Sequence, residues 1–249
     1  MPQFNEDIYL GPAIAGGTTT SAGPSPMTQG VGPMARIYLF DLVPAASNTT
    51  TGQNEICPSA NLPLGAMVCT ANGTTTLASY DGFGNAIVVL DCARNIAIYS
   101  AADLSTKTIT VTGYDQYGQT MSEAITAPNA TTVFGKKAFK SVKSVSSSGA
   151  IASAVVVGIG TSVGFPYRII DLGYVDNPFY NQTVITNNST NVKVADTTSP
   201  ATTTTGDVRG TLLLGATDGT KRAVVHLALA GIAAGPTATR AGAFGVTQV

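Results

Sequence analysis

The chain has 249 residues, with 13 Lys+Arg against 14 Asp+Glu, one His, no Trp and a formal net charge of −1. It is 44% hydrophobic and only 11% charged, which excludes the polar, highly charged composition of a disordered chain and the basic stripe of a nucleic-acid binder. No apolar run approaches the roughly 18 residues that span a bilayer. Neither nucleic acid nor membrane is therefore expected as a partner, and the weakly charged surface suits a protein that lives against other proteins.

Residues 1–34 open the chain as an expected extended N-terminal arm. Residues 11–34 are rich in Gly, Pro, Ser and Thr and carry no charge, so alone they cannot bury enough apolar area to offset their ordering entropy. Phe4, Ile8, Tyr9 and Leu10 form an apolar cluster before that stretch. They are expected to anchor in a neighbour's groove, the alternative being an arm folded back over its own domain. The first residues are polar and acidic without an apolar leader, so synthesis and folding in a cytoplasm are expected. The three cysteines, Cys57, Cys69 and Cys92, show no CxxC spacing and are odd in number. They are expected to be small buried apolar side chains rather than a disulfide framework or a zinc site.

From residue 35 the pattern alternates with period two. Strands are expected at 35–43, 74–80, 86–91, 107–114, 119–126, 138–145, 154–160, 167–172, 192–195, 208–214 and 222–229. They are short, rich in Thr, Val and Ile, and separated by Gly, Asn, Asp, Ser or Pro, and no stretch keeps helical periodicity over about 12 residues. The expected fold is all-β: a β-sandwich, jelly-roll-like body over 35–249, with two sub-sheets dividing near 172–206. The Thr-rich stretches around Pro200 are expected to form an exposed loop.

One internal similarity stands out. Thr74 to Asn85 (TTTLASYDGFGN) aligns with Thr108 to Gln119 (TITVTGYDQYGQ). In each, a Thr-rich strand ends in Tyr-Asp-x-aromatic-Gly-Asn/Gln. The Asp accepts bonds from the backbone two residues on, and the Gly takes the positive φ that a tight hairpin requires. Two hairpins of one sheet system are expected, with Tyr80, Phe83, Tyr114 and Tyr117 as loop-tip contacts.

Groups that could carry chemistry are scarce. His226, the only histidine, lies within a strand pattern that places it with Val224 and Ala228, where a hydrogen-bonded packing role is expected rather than a base. Gly160-Thr-Ser-Val-Gly164 has G-x-S-x-G spacing, but Phe165-Pro166 follows it instead of a helix, so it is no nucleophile elbow, and there is no HExxH or D-x-D-x-D loop. Gly158-Ile-Gly160-Thr-Ser-Val-Gly164 resembles a dinucleotide fingerprint, but its last gap is too long and Phe165-Pro166 follows instead of a helix. No catalytic residue, metal or cofactor is assigned, and a non-enzymatic protein is expected.

The run from Thr108 to Ile125 (TITVTGYDQYGQTMSEAI) and that from Lys136 to Pro166 (KKAFKSVKSVSSSGAIASAVVVGIGTSVGFP) together resemble a segment of tailed-bacteriophage virion proteins. The matching positions are Ala138, Phe139, Val142, Val145, Gly149, Val155, Val157, Gly158, Gly160, Gly164 and Pro166, and the resemblance covers about a quarter of the chain. It implies a β-rich structural component of a virus particle, such as a capsid decoration or cement protein. Its partners would be the major capsid protein and copies of itself as a dimer or trimer, and its location the virion. The alternatives are a tail-associated or host-receptor-binding virion protein, a jelly-roll capsid subunit, and a depolymerase-type enzyme.

Overall fold

The computed structural model describes residues 8–12, 34–47, 55–62, 65–69, 77–229 and 245–248. Sixteen strands run in the order β1 (Ile8–Pro12), β2 (Met34–Leu42), β3 (Cys57–Asn61), β4 (Gly65–Val68), β5 (Leu77–Tyr80), β6 (Ala86–Tyr99), β7 (Thr108–Tyr114), β8 (Thr120–Thr126), β9 (Thr132–Phe134), β10 (Phe139–Ser147), β11 (Ala154–Gly164), β12 (Val175–Tyr180), β13 (Thr183–Val184), β14 (Val192–Val194), β15 (Gly210–Leu213) and β16 (Ala223–Leu229). The helical content of the described residues is one 3₁₀ turn, Leu172–Tyr174. The fold is all-β and sandwich-like, as the patterning predicts.

One sheet has five strands in the order β1-β2-β16-β12-β13. The other has β14-β15-β11-β6-β10-β7-β8 as its path, with β3 on β11, β4 on β10, and β5 and β9 on β6. All pairings are antiparallel. Alternation explains the inward faces. In β7 and β8 every second residue is buried, and Ile109 faces Ile125, Val111 faces Glu123 and Gly113 faces Met121. Gly113 cannot carry a Cβ, which would collide with the Ser141 carbonyl of the adjoining β10.

Two cores result. The first, including Ile96, Ile98, Ile109, Val111, Phe139 and Val157, lies within the large sheet's curl. The second joins the sheets: Val163, Val192 and Leu212 of one meet Val175, Val225 and Leu227 of the other, with Phe165 and Ile169 between. Each such buried aliphatic contributes about 1.5–3 kcal/mol. Two edge-on aromatic pairs, Tyr38–Tyr167 at 5.0 Å and Phe40–Phe165 at 6.1 Å between ring centres, lock the same junction.

Several sequence expectations are corrected. Residues 167–172 form no strand: after Pro166 the segment crosses between the sheets, and single backbone bonds, Ile169 N to Arg209 O and Ala195 N to Ile169 O, tie it down. β6 runs eight residues beyond Asp91, because its second half is buried nearly continuously between β11, β9 and their neighbours instead of alternating. β12 forms despite Pro178, since the register shifts between Asp176 and Phe179 and the irregularity absorbs the missing donor. Cys57 and Cys69 are buried but bonded to one another, because β3 and the residue after β4 bring their Cα atoms to 4.6 Å. Cys92 alone is free, and burial pushes its thiol up to about 12.

Candidate functional site

The two similar segments do fold as two hairpins built on one plan. Asp81 Oδ1 accepts from the amides of Phe83 (2.9 Å) and Asn85 (2.8 Å), and Asp115 Oδ1 accepts from those of Tyr117 (2.8 Å) and Gln119 (2.9 Å). Gly84 and Gly118 take φ of 80° and 78°, the left-handed conformation that closes each turn. A short polar side chain saturating a tight turn explains the matching motif.

The second oxygens make the two turns different. Asp115 Oδ2 receives Arg209 Nη1 at 2.9 Å, an ion pair with both side chains buried. Asp81 Oδ2 receives the Tyr114 hydroxyl at 2.7 Å and Asn85 Nδ2 at 2.8 Å, so one hairpin is fastened to the other. Desolvation alone would raise the Asp81 pKa, but the bonds from Tyr114, Asn85 and Phe83 outweigh it and hold the carboxyl well below the usual range.

The aromatics diverge accordingly. Tyr117 lies 5.2 Å from the Arg209 guanidinium carbon and its hydroxyl donates to Pro166 O at 2.6 Å. Tyr114 is half-buried and spent on Asp81. Phe83, at the position equivalent to Tyr117, is 90% exposed, and Tyr80 and Leu77 on β5 are 74% and 71% exposed. Of the four expected loop-tip residues, Tyr80 and Phe83 point outward, Tyr114 is half-buried against Asp81, and Tyr117 stays 45% exposed while its hydroxyl is held by Pro166 O. Leu77, which the sequence reading did not single out, joins the outward pair.

β5 carries no charge, pairs with β6 on one side, and has no described strand on the other. Natural edge strands are commonly blunted by charge, proline or a covering segment. β8 shows the covered kind: Ala124 N donates to Thr203 O of the Thr-rich loop, which is thus docked rather than free. Among the described residues β5 has no charge, proline or covering segment.

Of the expected arm anchors, Ile8, Tyr9 and Leu10 fall in β1, antiparallel to β2 with Ile8 opposite Ile37. Phe4 lies outside the described residues. His226 sits on β16 opposite Asp176 and Leu39, half-buried between Val225 and Leu227, which face the core. Gly158, Gly160 and Gly164 lie in β11, where a Cβ on Gly160 would strike the Asn95 side chain and one on Gly164 would strike Ala138. Close packing, not phosphate binding, accounts for them.

Sequence reasoning missed the buried charges. Arg94, Lys137 and Arg209 are fully or almost fully buried, as are Asp115, Glu123 and Asp207. Arg94 donates to Ala45 O (2.8 Å), Gly160 O (2.7 Å) and Thr217 Oγ1 (2.8 Å), tying the segments after β2 and before β16 to β11. Glu123 accepts from the amides of Lys136 and Lys137, yet burial still pushes its carboxyl up to about 7. Asp207 accepts from the amides of Ala138, Arg209 and Gly210, and burial raises its pKa too. Burial lowers the Lys137 pKa against the opposing pull of Glu123, Asp207 and Asp196, and its Nζ has no hydrogen-bond partner among the described residues. The one available signal was phase: Glu123 alternates with Met121 and Ile125, both apolar and inward.

No protein-family model matches the chain, and neither does any curated protein or solved structure.

Proposed function

We propose that the protein is a non-enzymatic structural component of a virus particle, a capsid decoration or cement protein that binds the major capsid protein and further copies of itself. The observation that carries the contact reading is the outward set of Leu77 and Tyr80 on the uncharged strand β5 and Phe83 at its turn, with no further described strand along the outer edge of β5. Leu77 and Tyr80 lie on opposite faces of β5 with Phe83 at its turn, so large exposed apolar side chains flank the strand on both sides, and an unpaired strand edge accepts a strand from another chain. The particle reading rests on the resemblance of Lys107–Pro166 to virion proteins.

The mechanism follows from the fold. The two-core body is a rigid platform, Asp81 and Tyr114 hold the β5–β6 hairpin in place, and the hairpin presents its apolar tip to a neighbour. β1 is the edge of the five-stranded sheet and gives the N-terminal segment a second route to neighbouring chains. Each contact is modest, and repetition around a shell supplies avidity. With few charges at the tip, attachment should depend little on salt.

Quantitative mass spectrometry of purified particles tests this reading. Copy numbers comparable with those of the shell subunit support it. A handful of copies per particle favours the tail-associated or receptor-binding alternative, and absence from particles overturns the proposal. Deletion of residues 1–34 is expected to leave a folded body and to abolish attachment. Normal decoration by the truncated chain would remove the arm from the mechanism.

A further inference from the structure

A cleft of about 640 Å³ opens between the Phe134–Lys136 turn and the β14–β15 pair, within the size range of small-ligand sites. Its floor is fixed before any ligand arrives. Asn95 Nδ2 donates to Gly135 O at 3.0 Å while Asn95 Oδ1 accepts from Ser162 N at 2.9 Å, so one buried amide joins the turn to β11. Phe134 forms one wall and is 43% exposed, and Leu213 contributes a further apolar surface. Thr161, Thr190 and Thr211 line the same space.

The charges in the lining are of both signs: the exposed Lys136 and Lys193 stand beside Asp196, while the buried Asp207 carboxyl is taken up by the amides of Ala138, Arg209 and Gly210. An anion would meet Asp196, whose carboxyl the amides of Thr198 and Gly206 hold below the usual range. A cation would meet the two lysines. A wholly apolar ligand would strip water from the threonine hydroxyls without replacing it. An uncharged sugar ring satisfies both surfaces, laying its C–H face on an aromatic ring and directing its hydroxyls to the threonines.

We propose that this cleft binds a short uncharged oligosaccharide, with Phe134 as the stacking wall and Thr190 and Thr211 as hydroxyl partners. The site is separate from the β5–β6 hairpin, so it gives the protein a glycan-binding role in addition to assembly. Weak single-site affinity suffices where many copies face one surface.

The test is titration calorimetry of the full chain against neutral di- to tetrasaccharides of glucose, galactose and mannose, with acidic oligosaccharides and ATP as comparison ligands. At least one neutral saccharide is expected to bind, and Phe134→Ala and Thr190→Val should each weaken it about tenfold. Phe83→Ala on the hairpin should bind as the parent does, with all variants keeping the parent circular dichroism spectrum. No neutral saccharide binding up to about 10 mM, binding of only the acidic ligands, or equal affinity of Phe134→Ala would each overturn the assignment. Particle attachment is read separately, so the assembly proposal stands or falls on other data.

Discussion

The Tyr114 hydroxyl donates to Asp81 Oδ2 at 2.7 Å and so joins two hairpins that are otherwise copies of one design. Tyr114→Phe keeps the ring and deletes the bond. Asp81 retains its amide partners, so the body should lose only about 1 kcal/mol, while hydrogen exchange at Phe83 and Asn85 should quicken. Unchanged exchange would show that the hairpin is held without Tyr114.

Arg94 should be far less tolerant. Its three short bonds reach Ala45 and Thr217, in segments that connect the two sheets, and Gly160 within β11. Arg94→Met fills much of the volume but leaves those acceptors without their donor in a dry site. A loss of about 3–5 kcal/mol is expected in urea unfolding, and a loss below about 1 kcal/mol would contradict this role.

These two residues show what the sequence could and could not convey. The longer strands of the body, such as β7, β8, β10 and β11, were legible because Thr, Val and Ile alternate locally, and the paired turns because Asp and Gly recur at fixed spacing. Arg94 was not legible, because, apart from Asp91 at 3.4 Å, the groups it bonds lie far along the chain and nothing local distinguishes a buried arginine from a solvated one. The contrast between Phe83 and Tyr117 was hidden for the same reason: it depends on Arg209 and Pro166 reaching one tip and not the other. β12 was hidden by Pro178, whose accommodation depends on a register shift against β16.

Glu123 makes stability fall as pH rises. Its folded pKa, about 7, lies above the ordinary carboxylate value, so between those values the folded state holds a proton that the unfolded state has released. The neutral form's advantage is complete below the unfolded value and is lost as pH climbs towards about 7, a change on the order of 3 kcal/mol. Thermal melts from pH 4.5 to 8 should show this decline, and Glu123→Gln should flatten it. An equally steep decline in Glu123→Gln would assign the effect elsewhere.

The outward hairpin is the centre of the functional account. Phe83→Asp alters a side chain that is 90% exposed, so the melting temperature should move little. Attachment, by contrast, should fail, because a charge would be forced into an apolar contact. The decisive measurement is co-sedimentation of purified protein with particles lacking it, parent against Phe83→Asp, at matched concentration. The account predicts that the parent saturates the particles while the folded variant remains in the supernatant; equal occupancy by the variant would contradict it.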